Sequence, residues 1–137
     1  FEYKGEVNGA KVYDDYSHHP TEIKASIAGA RELYPERKLT VVFQPHTYTR
    51  TDSLFDDFVA ALSLADKVIM VPIYAAREEN VNGVSSDKIA EALGEKAQFF
   101  HTLEAAALEV KENSNEENIV VVMGAGDVTK IASQLTA

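Results

Sequence analysis

The chain has 137 residues, with 13 Lys+Arg against 22 Asp+Glu, a formal net charge of −9 with histidines neutral. That length suits one domain with a real core, and 45% apolar with 26% charged residues excludes wholesale disorder. Zero Cys excludes disulfides, thiolate metal sites and a cysteine nucleophile. The acidic balance argues against a surface that coats nucleic acid, though not against a local basic pocket for a small anion. No apolar run approaches the roughly 20 residues of a membrane span, and the opening Phe1–Lys4 has neither the basic start nor the apolar stretch of a signal peptide. It reads as the start of a strand in a piece cut from a longer chain.

Glu2 to Val7 and Ala10 to Asp15 flank Asn8-Gly9, whose positive φ angles suit a type I′ hairpin turn. Pro20 opens a helix whose apolar face is Ile23, Ile27, Ala30 and Tyr34, and Pro35 stops it. Leu39 to Gln44 is a short buried strand. Thr51 or Asp52 caps the next helix, which carries Phe55, Phe58, Val59 and Leu62. Val68 to Val71 is a strand without polar alternation, as expected when both sheet faces are covered. Tyr74 to Val84 is polar and irregular, a surface loop. Ser85 or Ser86 caps a helix through Leu93, ended by Gly94. A brief strand, Ala97 to Phe100, precedes a helix capped by Thr102 and carrying Leu103, Ala106, Ala107 and Val110. After a charged turn from Asn113 to Asn118, Ile119 to Met123 is a buried strand. Gly124-Ala125-Gly126-Asp127 then leads into a final helix with Val128, Ile131, Ala132 and Leu135.

A hairpin followed by alternating helices and strands predicts one α/β domain over 1–137. Its sheet is Rossmann-like, open and mixed, mostly parallel, with an antiparallel N-terminal hairpin and helices on both faces. Ligands of such sheets sit beyond the carboxyl ends of the strands. Three polar segments fall there: Asp14 to Thr21, Gln44 to Thr51 and Gly124 to Thr129.

Asp14-Asp15-Tyr16-Ser17-His18-His19 places two carboxylates, two imidazoles and a phenol at a strand-to-helix turn. The helix N-terminus suits phosphate, and a carboxylate at a strand end suits ribose hydroxyls. The alternative is that the acids cap the turn and one histidine is structural. Adjacent His18 and His19 diverge at a helix start, which disfavours a shared metal ion. In Gln44-Pro45-His46-Thr47-Tyr48-Thr49-Arg50-Thr51, Arg50 offers bidentate recognition of a carboxylate and His46 can donate or accept beside it. A solvated loop with a paired Arg is the competing reading. Gly124 and Gly126 allow close backbone approach, but the segment lacks the third glycine of a dinucleotide fingerprint and the Gly-Lys-Ser/Thr of a P-loop. Arg77-Glu78-Glu79-Asn80 is either functional or merely solvated. Tyr34, Phe55, Phe58, Phe99 and Phe100 read as packing residues.

Taken together, Asp14 to Glu22, Phe43 to Thr51, Tyr74 to Glu78 with Val81 to Ser86, and Gly124 to Asp127 resemble the C-terminal domain of the Mur ligases. Within that family they are most similar to the branch that adds L-alanine to UDP-N-acetylmuramate in peptidoglycan synthesis. The resemblance runs from Phe1 to near Ala137. It implies a cytoplasmic, three-domain, ATP- and Mg2+-dependent ligase working through an acyl phosphate. The sugar-nucleotide domain and the P-loop domain would lie outside this chain. It also implies Asp15 and His18 on the ATP side, and His46, Arg50 and Tyr16 around L-alanine, with Arg50 on its carboxylate. Gly124 and Gly126 would shape the pocket. No catalytic residue and no metal ligand is expected in this domain alone, which would be inactive by itself. Many members carry Arg after the motif histidine where this chain has Thr47, so the carboxylate clamp has one Arg or draws on Arg77. Two alternatives stand beside this: the murein-peptide recycling ligase, and a free-standing flavodoxin-like nucleotide- or amino-acid-binding module without catalysis.

Overall fold

A computed structural model describes residues 1–80 and 83–137. Six strands form one sheet in the order β1-β2-β6-β3-β4-β5: β1 Glu2–Val7, β2 Ala10–Asp15, β3 Lys38–Phe43, β4 Lys67–Met70, β5 Ala97–Phe99 and β6 Asn118–Met123. Among the described residues, only the β1–β2 pair is antiparallel; the other neighbouring strand pairs are parallel. The hairpin register slips between Tyr3 and Gly5, at the edge of the sheet where an irregularity costs least. The last strand in the chain thus sits at the centre, between β2 and β3.

The helices are α1 Pro20–Leu33, α2 Tyr48–Ser53, α3 Phe55–Leu62, α4 Ser86–Leu93, α5 Leu103–Asn113 and α6 Thr129–Leu135. Topology explains their faces. Right-handed crossovers from β2 to β3 to β4 to β5 progress one way across the sheet and leave α1, α3 and α4 on one face. The return from β5 to β6 runs the other way and puts α5 on the opposite face, where α6 joins it.

Two cores follow. Ile23, Ile27, Phe58, Leu62 and Ile89 cover Val41, Phe43, Met70, Val121 and Met123 on one face. Ala106, Val110, Ile131 and Leu135 cover Val12, Val42, Ile69, Val120 and Val122 on the other. The residue-by-residue alternation of faces along β3 and β6 is why Val41–Phe43 and Ile119–Met123 read as apolar runs without polar alternation. The expected helix faces are largely borne out: Phe58 is buried, while Tyr34, Phe55, Phe99 and Phe100 pack half-buried against the cores.

Sequence expectation fails at the helix that follows β3. The polar stretch before Phe55 is itself helical, and Thr51 is buried inside α2 rather than capping anything. Thr47 is the cap, its Oγ1 accepting from the Arg50 N–H at 3.4 Å. Strand ends shift by a residue: Gln44, Val71 and Phe100 lie just beyond β3, β4 and β5. Val81 and Asn82, part of the resemblance, lie outside the described residues. Among the described residues no helix is long and apolar enough to cross a membrane.

Candidate functional site

The helix leaving β6 lies on the opposite face from those leaving β2 and β3, so the sheet's crevice opens at the carboxyl ends of these three strands. All three expected polar segments meet there. Gln44 holds them together. Its buried side chain donates Nε2–H to the Pro72 carbonyl (3.2 Å) and to Asp127 Oδ1 (2.8 Å), and its Oε1 accepts from the Val128 N–H (3.2 Å). One amide therefore ties β3 to the exits of β4 and β6. The glycines are what let it do so. A Cβ on Gly126 would stand 2.6 Å from Gln44 Oε1 and 2.6 Å from the Tyr74 ring. On Gly124, at φ +148°, it would meet Val128 at 2.7 Å and the Gln44 carbonyl at 3.0 Å. Both shape the rim by close approach.

The β2–α1 turn is organised from within. Asp15, 7% exposed, accepts from the Ser17 N–H (3.0 Å) and Ser17 hydroxyl (2.9 Å) with Oδ1, and from the Ser26 hydroxyl with Oδ2. Three of a carboxylate's roughly four acceptor positions are thereby used. Asp14 accepts from the Thr129 hydroxyl and so clips this turn to α6. His19 and Glu22 form a capping box: His19 Nδ1 accepts from the Thr21 N–H, and Glu22 Oε1 from the His18 and His19 N–H groups, each at 3.2 Å. The first turn of α1, expected to suit phosphate, is therefore closed by its own side chains, with a carboxylate over the positive end of the helix. The histidines diverge as their spacing implied. His18 sends Nδ1 to the Tyr16 carbonyl (2.9 Å). The Tyr16 side chain itself is 76% exposed at the mouth.

His18 and His46 come together from different segments, their rings 5.9 Å apart between centroids. On its other side His46 stacks on Tyr74 at 5.5 Å and 20°. Burial, and then the nearby Arg50 cation, push the His46 imidazole below its ordinary range. Among the described residues, the buried side-chain polar atoms without a partner are His46 Nδ1, Arg50 Nη1 and Ser86 Oγ. All three belong to segments leaving the carboxyl ends of strands. Buried polar atoms are nearly always satisfied, so one unpartnered nitrogen on an imidazole and one on a guanidinium four residues apart make this rim the candidate ligand site. Glu78 accepts from the Thr49 N–H at 3.0 Å, and this bond holds its carboxyl below the usual range. Arg77 is exposed.

A cleft of about 250 Å³ opens alongside, lined by Gln44, Tyr74, His101, Leu103 and Asp127 among others. A larger groove of about 610 Å³ lies between Phe1 and α1, lined by Ala25, Ser26, Gly29, Glu32 and Leu33, and it shares Ser26 with the Asp15 turn. Its lining is mostly apolar, with Ser26 and Glu32 as its polar side chains, whereas the unpartnered nitrogens gather on the His46–Arg50 side. Among the described residues no group of three or more His, Asp or Glu is arranged to hold a metal ion.

The sequence did not single out Gln44, Tyr74 or the Ser17–Ser26 support of Asp15. Gln44 had one usable signal: it directly follows the buried run Val41-Val42-Phe43, where a residue with both donor and acceptor can satisfy two neighbouring turns.

The domain is an open α/β sheet with unpartnered buried nitrogens near its switch point, which makes the carboxyl rim its candidate binding site. Residues 1–126 match the family profile described as Mur ligase, glutamate ligase domain, and the chain belongs to that family. It is 45% identical over 98% of its length to the UDP-N-acetylmuramate–L-alanine ligase of Agathobacter rectalis, and 46% identical over 94% to that of Aquifex aeolicus. It spans about 30% and 28% of those two proteins. Among solved structures, the UDP-N-acetylmuramate-alanine ligase of Thermotoga maritima superposes with a TM-score of 0.74 at 24% identity, over 98% of this chain and 29% of that one. A murein peptide ligase from Psychrobacter arcticus gives 0.75 at 22%, over 98% and 28%. The structural likeness establishes the fold of a Mur ligase C-terminal domain.

Proposed function

We propose that this chain is the amino-acid-binding, ATP-closing domain of a cytoplasmic ligase that joins L-alanine to UDP-N-acetylmuramate. The observation that carries this is the pair of orphaned nitrogens, His46 Nδ1 and Arg50 Nη1, at a rim shared with His18 and Tyr16. Arg50 suits the carboxylate of an amino acid. His46, its pKa pushed down first by burial, suits the amino end. Tyr16 stands at the mouth. His18 faces the nucleotide side, and Asp15 offers a ribose its remaining acceptor position, oriented by Ser17 and Ser26.

ATP supplies the phosphoryl group that activates the muramyl carboxylate. With the first turn of α1 capped, its phosphates and Mg2+ belong to a domain outside this chain. The amine of L-alanine then attacks the acyl phosphate carbonyl, a peptide bond forms, and phosphate leaves. This domain's part is to place the nucleophile, a contribution of orientation rather than of covalent chemistry. The recycling ligase is the second reading. Curated relatives at 44–48% identity carry the alanine-adding name, which favours L-alanine over a tripeptide.

The test is the full-length enzyme bearing Arg50→Ala. The Michaelis constant for L-alanine should rise about tenfold to 150-fold, the loss of one charge-assisted contact of about 1.5–3 kcal/mol, while that for the sugar nucleotide stays put. An unchanged constant for L-alanine removes Arg50 from the site. The isolated chain should form no ATP-dependent peptide bond.

A further inference from the structure

Four non-glycine residues among those described adopt positive φ: Asn8, Thr47, Ala76 and Arg77. Asn8 is explained by its hairpin turn, where Asn is at home. The other three cluster in two facing segments of the carboxyl rim. Thr47 is the extreme case, a β-branched residue at φ +66° and ψ +147°, a region that is essentially reserved for glycine.

Its surroundings lock that conformation. Thr47 N–H donates to the Tyr74 carbonyl at 2.8 Å, and Tyr74 N–H donates to the Pro45 carbonyl at 2.9 Å. The Thr47 carbonyl accepts from the buried Thr51 hydroxyl at 2.7 Å and from its N–H at 3.3 Å. Thr47 Oγ1 caps Arg50 N–H. The facing segment is fastened by Thr49 N–H to Glu78 as well. Every polar group of Thr47 is used, whereas the two side chains on either side of it in the motif keep a buried nitrogen each without a partner. A relaxed extended backbone at 47 would alter the turn between His46 and α2, and with it the relation of the ring to the guanidinium.

We infer that Thr47 is a positioning residue: its strained backbone, locked by Tyr74 and Thr51, fixes His46 and Arg50 so that their unpartnered nitrogens meet one small ligand. This rests on the reading of the rim as the amino-acid site, but the two can fail separately. L-alanine titrated into the unsubstituted protein tests the site. Ligand-free variants test Thr47.

Thr47→Gly relieves the strain and loosens the turn. The expected result has two parts, read by calorimetry and by NMR titration of the His46 ring. The melting temperature stays level or rises by up to about 5 °C, despite the lost cap. The His46 titration midpoint moves upward toward the ordinary histidine value of about 6.5, as the ring gains water. Thr47→Ser keeps the cap and the backbone geometry and should retain the original midpoint. A melting temperature below that of the unsubstituted protein, or a His46 midpoint that does not move in Thr47→Gly, overturns the inference.

Discussion

The two rims of this sheet are built on opposite rules. At the amino rim several long cations are answered by carbonyls and carboxylates. Arg37 donates to the Gly9 and Asn118 carbonyls at 3.2 and 3.1 Å and lies over the Tyr34 ring. Arg31 reaches the Leu64 carbonyl and Asp66, and Lys96 reaches the Ser63 and Ala65 carbonyls. Lys67 pairs with Glu109 at 2.9 Å. At the carboxyl rim Arg50 and His46 are left with buried nitrogens unanswered, and the backbone between them is strained. Same sheet, same strands; one end closes loops and the other keeps unpartnered nitrogens at the proposed ligand site. The lesson is that partner-satisfaction, more than residue type, separates structural from functional charge in this fold.

The largest expected effect concerns what both rims require, the close packing of strand exits. Gly124→Ala forces a Cβ against a side chain at 2.7 Å and a backbone oxygen at 3.0 Å from a positive φ. A loss of about 3 kcal/mol is expected in urea unfolding, combining overpacking with conformational strain. A loss under about 1 kcal/mol would mean that β3 and β6 can part at their ends, and that the carboxyl rim is soft.

Next comes a paired substitution that sets the rims against each other. Arg37→Ala removes two charge-assisted bonds to carbonyls and should lower stability by about 2 kcal/mol while leaving L-alanine binding unchanged. Arg50→Met keeps the apolar stem and deletes an unpartnered buried guanidinium nitrogen. Stability should hold or rise slightly, and the response of the His46 ring signals to L-alanine should vanish. If both variants lose comparable stability, the contrast between answered and unanswered cations is wrong.

How much of this could be read from the residues themselves? The alternation of apolar periods was enough for every strand, the hairpin and the helix faces, because each depends on neighbours one to four positions away. The three rim segments were legible for the same reason: polar runs directly after apolar strands. Strand order was not, since nothing local says that Ile119–Met123 inserts between the second and third strands. Nor was the fate of α1's first turn. His19 and Glu22 are spaced as a capping box, yet the same residues read equally as ligand groups until their hydrogen bonds are seen. Thr47 was noted only as a departure from a familiar motif. Its positive φ depends on the pairing with Tyr74, 27 positions on, and no local pattern encodes that.

The smallest expected effect follows from His46 alone. Its folded-state pKa lies below the ordinary value, first because burial disfavours the cation and then because Arg50 and His18 repel it, with Glu78 opposing weakly. The unfolded chain therefore holds more protons at this position than the folded one between the depressed pKa and about 6.5. Stability rises with pH through that window: the contribution is present above about 6.5 and is lost as the pH falls toward the folded pKa. His46→Gln should flatten that part of the stability profile measured by urea unfolding between about pH 5 and 7, while Arg50→Met, by removing one repelling cation, should shallow it. An unchanged slope in His46→Gln would assign the acid sensitivity to another group and return His46 to an ordinary solvated histidine, which its orphaned Nδ1 argues against.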